Sequence, residues 1–516
     1  MVSPLHTLSL ADILEEHRRS RPDHVAVISD DERFTYPQLA DRVIRLANAL
    51  EDAGVQRFDR ILWLAQNGHG VLEGIIAAGK LGAMFCPANW RQTADEMAFV
   101  IDDLEPKVVI WQDAEIGAAV RSARETARHR GAMWLSLDGD TGGDGRYEDF
   151  VAKGAPQERE REVDPDLPAL IIYTAAFGGC PNGAMLSQTA IAWQDLALID
   201  IQDLSADTVF LNSGPLFHVG TLMVTMAIFH IGGTNVFIPR TDTALIAEAI
   251  HRHRCDYAFL MQSTCNELAG LNRDRRYDFS RLRSASVSPA WDAMVTVIPS
   301  RSLFGYGQTE VMGPITWSYY GWGQCTGRNG RTGPNAQVRI VDDAGNEVPP
   351  GQIGEICVRG PTVMHGYWRR PELNALRQRG GWHHTHDLGK READGSLSFI
   401  GPKTQMIKSG AENIYPAEVE GCLRQHPAVA DCGVIGVPDA AWVQSVKAIV
   451  LLKPGMQIDA QALIEHCRER IASYKKPRFV EFAQALPRSA GGGIDYKALD
   501  AAYGGGGYPG GTTRGA

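Results

Sequence analysis

No two cysteines of this chain stand in a C-x-x-C pair; nine are scattered from Cys86 to Cys467. An odd, dispersed set excludes a disulfide framework and reads as reduced thiols in a cytoplasmic setting. Surplus positive charge is missing too. With 51 Lys and Arg against 61 Asp and Glu the net charge is −10, which argues against a polyanion-binding surface and so against a nucleic-acid partner. The start, MVSPLHTLSLADILEEHRRSRP, turns charged and amphipathic at once and lacks the apolar core of a signal peptide. The most apolar region, LFHVGTLMVTMAIFHIGG, is interrupted by His218, Gly220 and His230, so a buried helix is expected and no membrane span. Repeats at solenoid or propeller periods are absent.

What is present is ordinary globular usage, 44% hydrophobic and 22% charged, in a chain of 516 residues that exceeds what one core supports. Strand-like runs RILWLAQ, PKVVIWQ, ALIIYTA and DYAFLMQ alternate with amphipathic stretches such as YPQLADRVIRLANALEDAG and TDTALIAEAIHRHR. That alternation predicts an α/β fold with largely parallel sheets. From about Gln337 the texture changes to short β-like runs, QVRIVDD, GEICVRG and SLSFIGP, expected as a small β-rich subdomain. A further change near GPKTQMIKSG opens a compact α+β module. The expected division is a large multi-subdomain N-terminal domain over 1–404, a smaller α+β domain over 405–502, and a disordered glycine-rich tail over 503–516.

The stretch TAAFGGCPNGA, Thr174 to Ala184, follows the apolar run LPALIIY and precedes AMLSQTAIAWQDLALI, which reads as helix. Strand, glycine loop and helix is the layout of a phosphate cradle, because glycines let backbone N–H groups close around phosphate oxygens. Gly178 and Gly183 reproduce the G-x-x-x-x-G spacing, yet Ala184 and Met185 stand where a lysine and a hydroxyl belong. The stretch is either a weakened phosphate loop or only a connection between elements. His383, His384 and His386 suggest a metal at first sight, but neighbours in an extended segment point to opposite faces and no cysteine or carboxylate set completes a tetrahedron, so no metal site is expected.

Taken in order, the glycine stretch, PLFHVG at 215–220, YGQTE at 306–310, GEICVRG at 354–360, WHHTHDLG at 382–389, IKSGAENIYPAEVE at 407–420 and LPRSAGGGI at 486–494 resemble the adenylate-forming (ANL) superfamily of acyl-CoA synthetases, peptide-synthetase adenylation domains and luciferases. The likeness spans nearly the whole chain. It implies a mobile C-terminal domain and two half-reactions: ATP activates a carboxylate to an acyl-adenylate, then a thiol attacks the acyl carbonyl. By the same likeness Tyr306 stacks on adenine with Gly307 beside it, Thr309 contacts the α-phosphate, Glu310 sits at the magnesium position, and Asp387 accepts the ribose hydroxyls. Ser286 and Ser288 fall in the segment that runs along adenine and acyl group, and His218 borders the reacting carbonyl, where a core role is the alternative. Lys408, Ser409, Gly410 and Ala411 border the CoA tunnel, and Gly410 is the catalytic-side residue whose missing Cβ admits pantetheine.

Departures from the family pattern cluster in one half-reaction. Phe177 stands where a hydroxyl residue belongs, Asn182 and Gly493 at two lysine positions, Pro402 at an arginine and Gln405 at the charged pivot. Charged groups bind phosphate about twice as strongly as neutral ones, so adenylation is the half that suffers. The sequence resembles the non-adenylating acyl-CoA ligases of platensimycin- and platencin-type diterpenoid antibiotic pathways. That likeness implies CoA and a preformed acyl-adenylate as substrates and a separate adenylating enzyme as partner, with Mg2+ and a homodimer left open. A complete ATP-dependent synthetase with compensating residues, and a catalytically silent adenylate binder, are the alternatives.

Overall fold

Short, continuous apolar runs are the mark of strands covered on both faces. In the computed structural model, which describes residues 4–139, 144–174, 181–298, 305–318, 325–403, 406–410, 412–488 and 494–506, these runs lie side by side. Pro168–Thr174, Met84–Pro87, Arg60–Leu64, Val108–Trp111 and Met133–Ser136 are neighbours in an eight-stranded sheet, all parallel. A second sheet sets Val209–Asn212, Thr234–Phe237 and Val25–Ser29 in parallel. Helices fill the space between: Tyr36–Asp52 and His69–Leu81 bury Leu39, Leu46, Ile75 and Ile76 in one core with Met226 and Phe229 of Val219–Ile231. That last helix is the expected buried one, and among the described residues no helix is long and apolar enough to cross a membrane.

Local sequence sets the helix starts. Ser9, Thr35 and Thr93 each accept from the backbone of the third residue on, while Asp12, Gln38 and Glu96 reach back to the cap. The β-rich subdomain is antiparallel, with Gln337–Val341, Gly354–Arg359, Trp382–Arg391 and Leu397–Pro402 in succession. The C-terminal module pairs Val429–Asp439 with Val443–Leu452 and covers them with Pro416–Arg424 and Ala460–Arg470. The described cysteines are free thiols.

Three expectations need correction. The glycine stretch leads into a strand, not a helix: Asn182–Ser187 runs antiparallel to Pro168–Thr174, and the helix begins only at Gln188. Alternation of buried Ala184 and Leu186 with half-buried Met185 is the period-two signal behind it. The strand expected over DYAFLMQ shrinks to Tyr257–Ala258, because Gln262–Leu271 forms a helix that buries Cys265, Leu268 and Ala269. The tail does not begin at 503: Tyr496–Tyr503 is helical, its last carbonyl accepts from Lys447, and Gly506 donates to Gly436. The expected 404/405 boundary and residues 507–516 lie outside the described residues.

Candidate active site

YGQTE folds into a tight hairpin, with Gly307 opposite Pro314 and Gln308 opposite Gly313, before a short 3-10 turn at Thr309–Val311. A Cβ on Gly307 would lie 2.0 Å from the Gly313 carbonyl oxygen, so the approach admits only glycine. This geometry aims Tyr306 at the strand that carries Asp387. The phenol donates to Asp387 Oδ2 at 2.8 Å, Gln308 Nε2 donates to the same oxygen at 2.6 Å, and Phe399 packs 5.5 Å from the tyrosine ring. Burial pushes the Asp387 carboxyl up to about 6, against the two hydrogen bonds that favour its charged form. Glu310 accepts from the Tyr367 hydroxyl at 2.7 Å. Tyr306, Gly307, Thr309, Glu310 and Asp387 are thus brought to one place.

Beside them, the end of the glycine stretch is neutral. Asn182 is buried, and its Oδ1 accepts from Arg370 Nε at 3.1 Å while Arg370 Nη2 holds Asp103 at 2.7 Å. Pro402 stands directly across the sheet from Asp387. Phe177, Gln405, Ala411 and Gly493 lie outside the described residues. Ser286 and Ser288 are not drawn into the cluster by any described contact: Ser286 Oγ donates to Asp292 at 2.6 Å, and Ser288 caps the turn Pro289–Asp292. Ser-Pro ahead of an acidic residue is a helix-start signature that favours this local use.

The three histidines go separate ways. His383 is buried and held neutral, its pKa lowered to about 3 by burial, whereas His384 Nδ1 lies 3.2 Å from Glu355. His386 takes φ +64°, the left-handed region that favours glycine, and its N–H donates to Glu355. Among the described residues no group of His, Cys, Asp and Glu is placed to hold a metal ion.

The C-terminal domain meets the large domain at Glu412. Gly410 and Glu412 flank a turn of the Ile407–Ser409 and Glu412–Ile414 hairpin, and Glu412 Oε2 comes 3.4 Å from His218 Nε2, an ion-pair separation across the two domains. Arg91 Nη2 reaches Glu412 Oε1 at 2.5 Å. Burial alone would raise the Glu412 carboxyl; His218 and Arg91 outweigh it and hold the group at about 2. Lys408, depressed by burial, donates to Asn413, and Ser409 pairs across to Val443. Gly410 sits at φ +60° against the Trp442 ring.

Residues 14–368 match the AMP-binding enzyme family and 418–492 its C-terminal domain. The chain belongs to the AMP-binding enzymes. Among full-length relatives, the indoleacetate–CoA ligase of Aromatoleum aromaticum is 33% identical over 94% of this chain and 96% of its own length. A feruloyl-CoA synthase of Amycolatopsis is 34% identical over 92% and 96%. The fold of the amide bond synthetase McbA of Marinactinospora thermotolerans superposes with a TM-score of 0.80, at 25% identity, over 96% of this chain and 100% of that one.

In this AMP-binding enzyme, several residues at the site escape sequence reading. Gln308 is one, and the others make the domain contact. Lys475 bridges Glu96 of the large domain at 2.7 Å and Glu418 of the small one at 2.5 Å; Thr93 Oγ1 donates to the Arg470 carbonyl; Arg91 lies over Phe217 and Tyr474. The segment NWRQTADE, residues 89–96, is thus a surface on which the small domain docks.

The raised Asp387 makes a pH prediction. Its neutral form prevails below about 6 and loses the charge and one acceptor oxygen that a ribose diol bound there would need. Adenosine, which carries no titrating phosphate, should therefore bind about tenfold more weakly at pH 5 than at pH 7. Calorimetry at the two pH values checks this, and Asp387→Asn should flatten the difference.

Proposed function

We propose that this AMP-binding enzyme is an acyl-CoA ligase that performs the thioester-forming half-reaction on a preformed acyl-adenylate. The observation that carries the reading is Asn182: where a charged side chain would grip the β- and γ-phosphates, a buried amide is already engaged by Arg370 and supplies no charge. Glycine at 493 and proline at 402 weigh the same way. What adenylate transfer needs is retained: Asp387 with Tyr306 and Gln308 for the nucleoside, and His218 with Glu412 at the carbonyl end. CoA as acceptor is supported by relatives that are CoA ligases and by the half-exposed Trp442, beside Gly410 and under the Arg478 guanidinium at 5.2 Å, which offers stacking and charge to a nucleotide-bearing thiol.

In the reaction the thiolate sulfur bonds to the acyl carbon, the bond from that carbon to the phosphate oxygen breaks, and AMP leaves with the electron pair. The thiol proton departs by way of the His218–Glu412 pair. A mixed anhydride is already activated, so placing it against the thiol supplies much of the remaining acceleration. The upstream partner is a separate enzyme that makes the adenylate, in a cytoplasmic pathway of secondary metabolism.

Acid-dependent ATP–pyrophosphate exchange should be undetectable, while synthetic acyl-adenylates plus CoA should give acyl-CoA and AMP by mass detection. Exchange with any carboxylic acid would support the complete ATP-dependent synthetase instead. Absence of both reactions across a broad adenylate panel would leave a silent binder.

A further inference from the structure

The helix Pro371–Arg377 ends in a buried guanidinium, Arg377, which is 6% exposed. Arginine stays charged at any pH a protein survives, and a buried charge needs anionic or hydrogen-bonding partners to be tolerated. One partner is the His384 carbonyl, which accepts from Nη1 at 3.2 Å. That carbonyl lies in the strand Trp382–Arg391, three residues before Asp387. The next residue in the chain, Gln378, pairs with His383 of the same strand, so the arginine is anchored at the base of the nucleotide site. Its positive charge is felt by Asp387, Tyr367 and Tyr415, and Tyr367 is the side chain that holds Glu310.

Among the described residues named at this site, the other charges are negative or already paired. Asp387 and Glu310 are carboxylates; Tyr306, Gln308, Tyr367 and Tyr415 carry none at neutral pH. The neighbouring cations Lys403 and Arg379 are turned to Glu355, at 3.1 and 3.6 Å. Pro402, the residue opposite Asp387 on the next strand, offers neither charge nor N–H. AMP is a phosphate monoester anion, and it would enter this ring of carboxylates without a counter-charge unless Arg377 provides one.

We infer that Arg377 binds the α-phosphate of the acyl-adenylate and of the AMP that leaves. This deepens the adenylate reading above and rests on it. The guanidinium is carried by the end of the helix Pro371–Arg377, whereas position 402 lies on the neighbouring strand. A planar fork of donors there suits two phosphate oxygens at once.

Calorimetry with AMP and with adenosine, on the full chain and on Arg377→Met and Arg377→Lys, separates a phosphate ligand from a structural prop. Adenosine keeps base and ribose but has no phosphate. At about pH 9, where Asp387 is ionised with or without the neighbouring guanidinium, Arg377→Met should lose about 10- to 100-fold in AMP affinity and stay within about twofold for adenosine. Arg377→Lys, a point charge in place of a fork, should recover part of the loss, and it decides the matter alone if the methionine variant does not fold. Equal weakening of both ligands would show that Arg377 only supports the strand, and unchanged AMP binding would also overturn the assignment. If the unaltered protein binds neither ligand, the adenylate site itself is misplaced, an outcome distinct from failure at Arg377.

Discussion

Replacing Lys475 by methionine should slow acyl-CoA formation from a supplied adenylate by roughly two to three orders of magnitude. The ammonium is 6% exposed and lies between Glu96 of one domain and Glu418 of the other. Burial opposes its charge, but Tyr474, Glu418 and Glu96 outweigh that and raise its pKa. Removing one partner of a buried ion cluster leaves the others uncompensated, at about 3–5 kcal/mol, and separation of the domains relieves the two facing carboxylates. The small domain would then leave the orientation in which Glu412 meets His218. Adenosine affinity, which rests on large-domain residues, should change by less than about threefold, the mark of lost docking rather than lost folding. Adding Glu96→Gln should restore part of the rate. Unchanged turnover in Lys475→Met would mean that this docked orientation is not the one in which thioester forms.

Gly410→Leu should cost about two orders of magnitude in the same assay. Its φ of +60° belongs to the left-handed region, where a side chain costs roughly 1–2 kcal/mol, and its Cβ would stand 3.1 Å from Trp442. Overpacking adds about 1–3 kcal/mol. The strain falls on the turn that carries Glu412 to His218 and on the ring assigned to the incoming thiol, both away from Tyr306 and Asp387. Acyl-CoA production should drop while adenosine binding by the folded variant stays. Equal loss of both would point to a shared site or misfolding, and full turnover would place CoA elsewhere.

What the sequence discloses and what it conceals divide by range. The parallel sheets, the buried helix Val219–Ile231 and the antiparallel subdomain are written in local apolar pattern. Tyr306 and Asp387 come from motif order, and the fold then sets them 2.8 Å apart. Gln308, Arg91, Arg377 and Lys475 are polar residues whose roles exist only through partners distant in the chain or in another element; a motif around Gln308 or Arg91 marks the stretch but not the role of that side chain. The glycine stretch misleads for a different reason: six residues of strand between loop and helix are hidden because Ala, Met and Leu are good helix formers, and tertiary pairing with Pro168–Thr174 overrides that propensity. Ser286 and Ser288 are claimed by a turn whose own signal, Ser-Pro-Ala-Trp-Asp, was there to be read.

The carboxylate of Glu96 divides its oxygens between two tasks: Oε2 receives the Thr93 N–H at the start of its own helix, and Oε1 receives Lys475 from the other domain. The first turn of Ala94–Leu104 therefore senses whether the small domain is present, since the same side chain that stops the helix from fraying is steadied by the visitor. Undocking of about a hundred residues and the loosening of a single amide would then be one event seen at two scales. Release of Lys475 and loosening of that helix end are thereby coupled through one side chain, without any intervening relay.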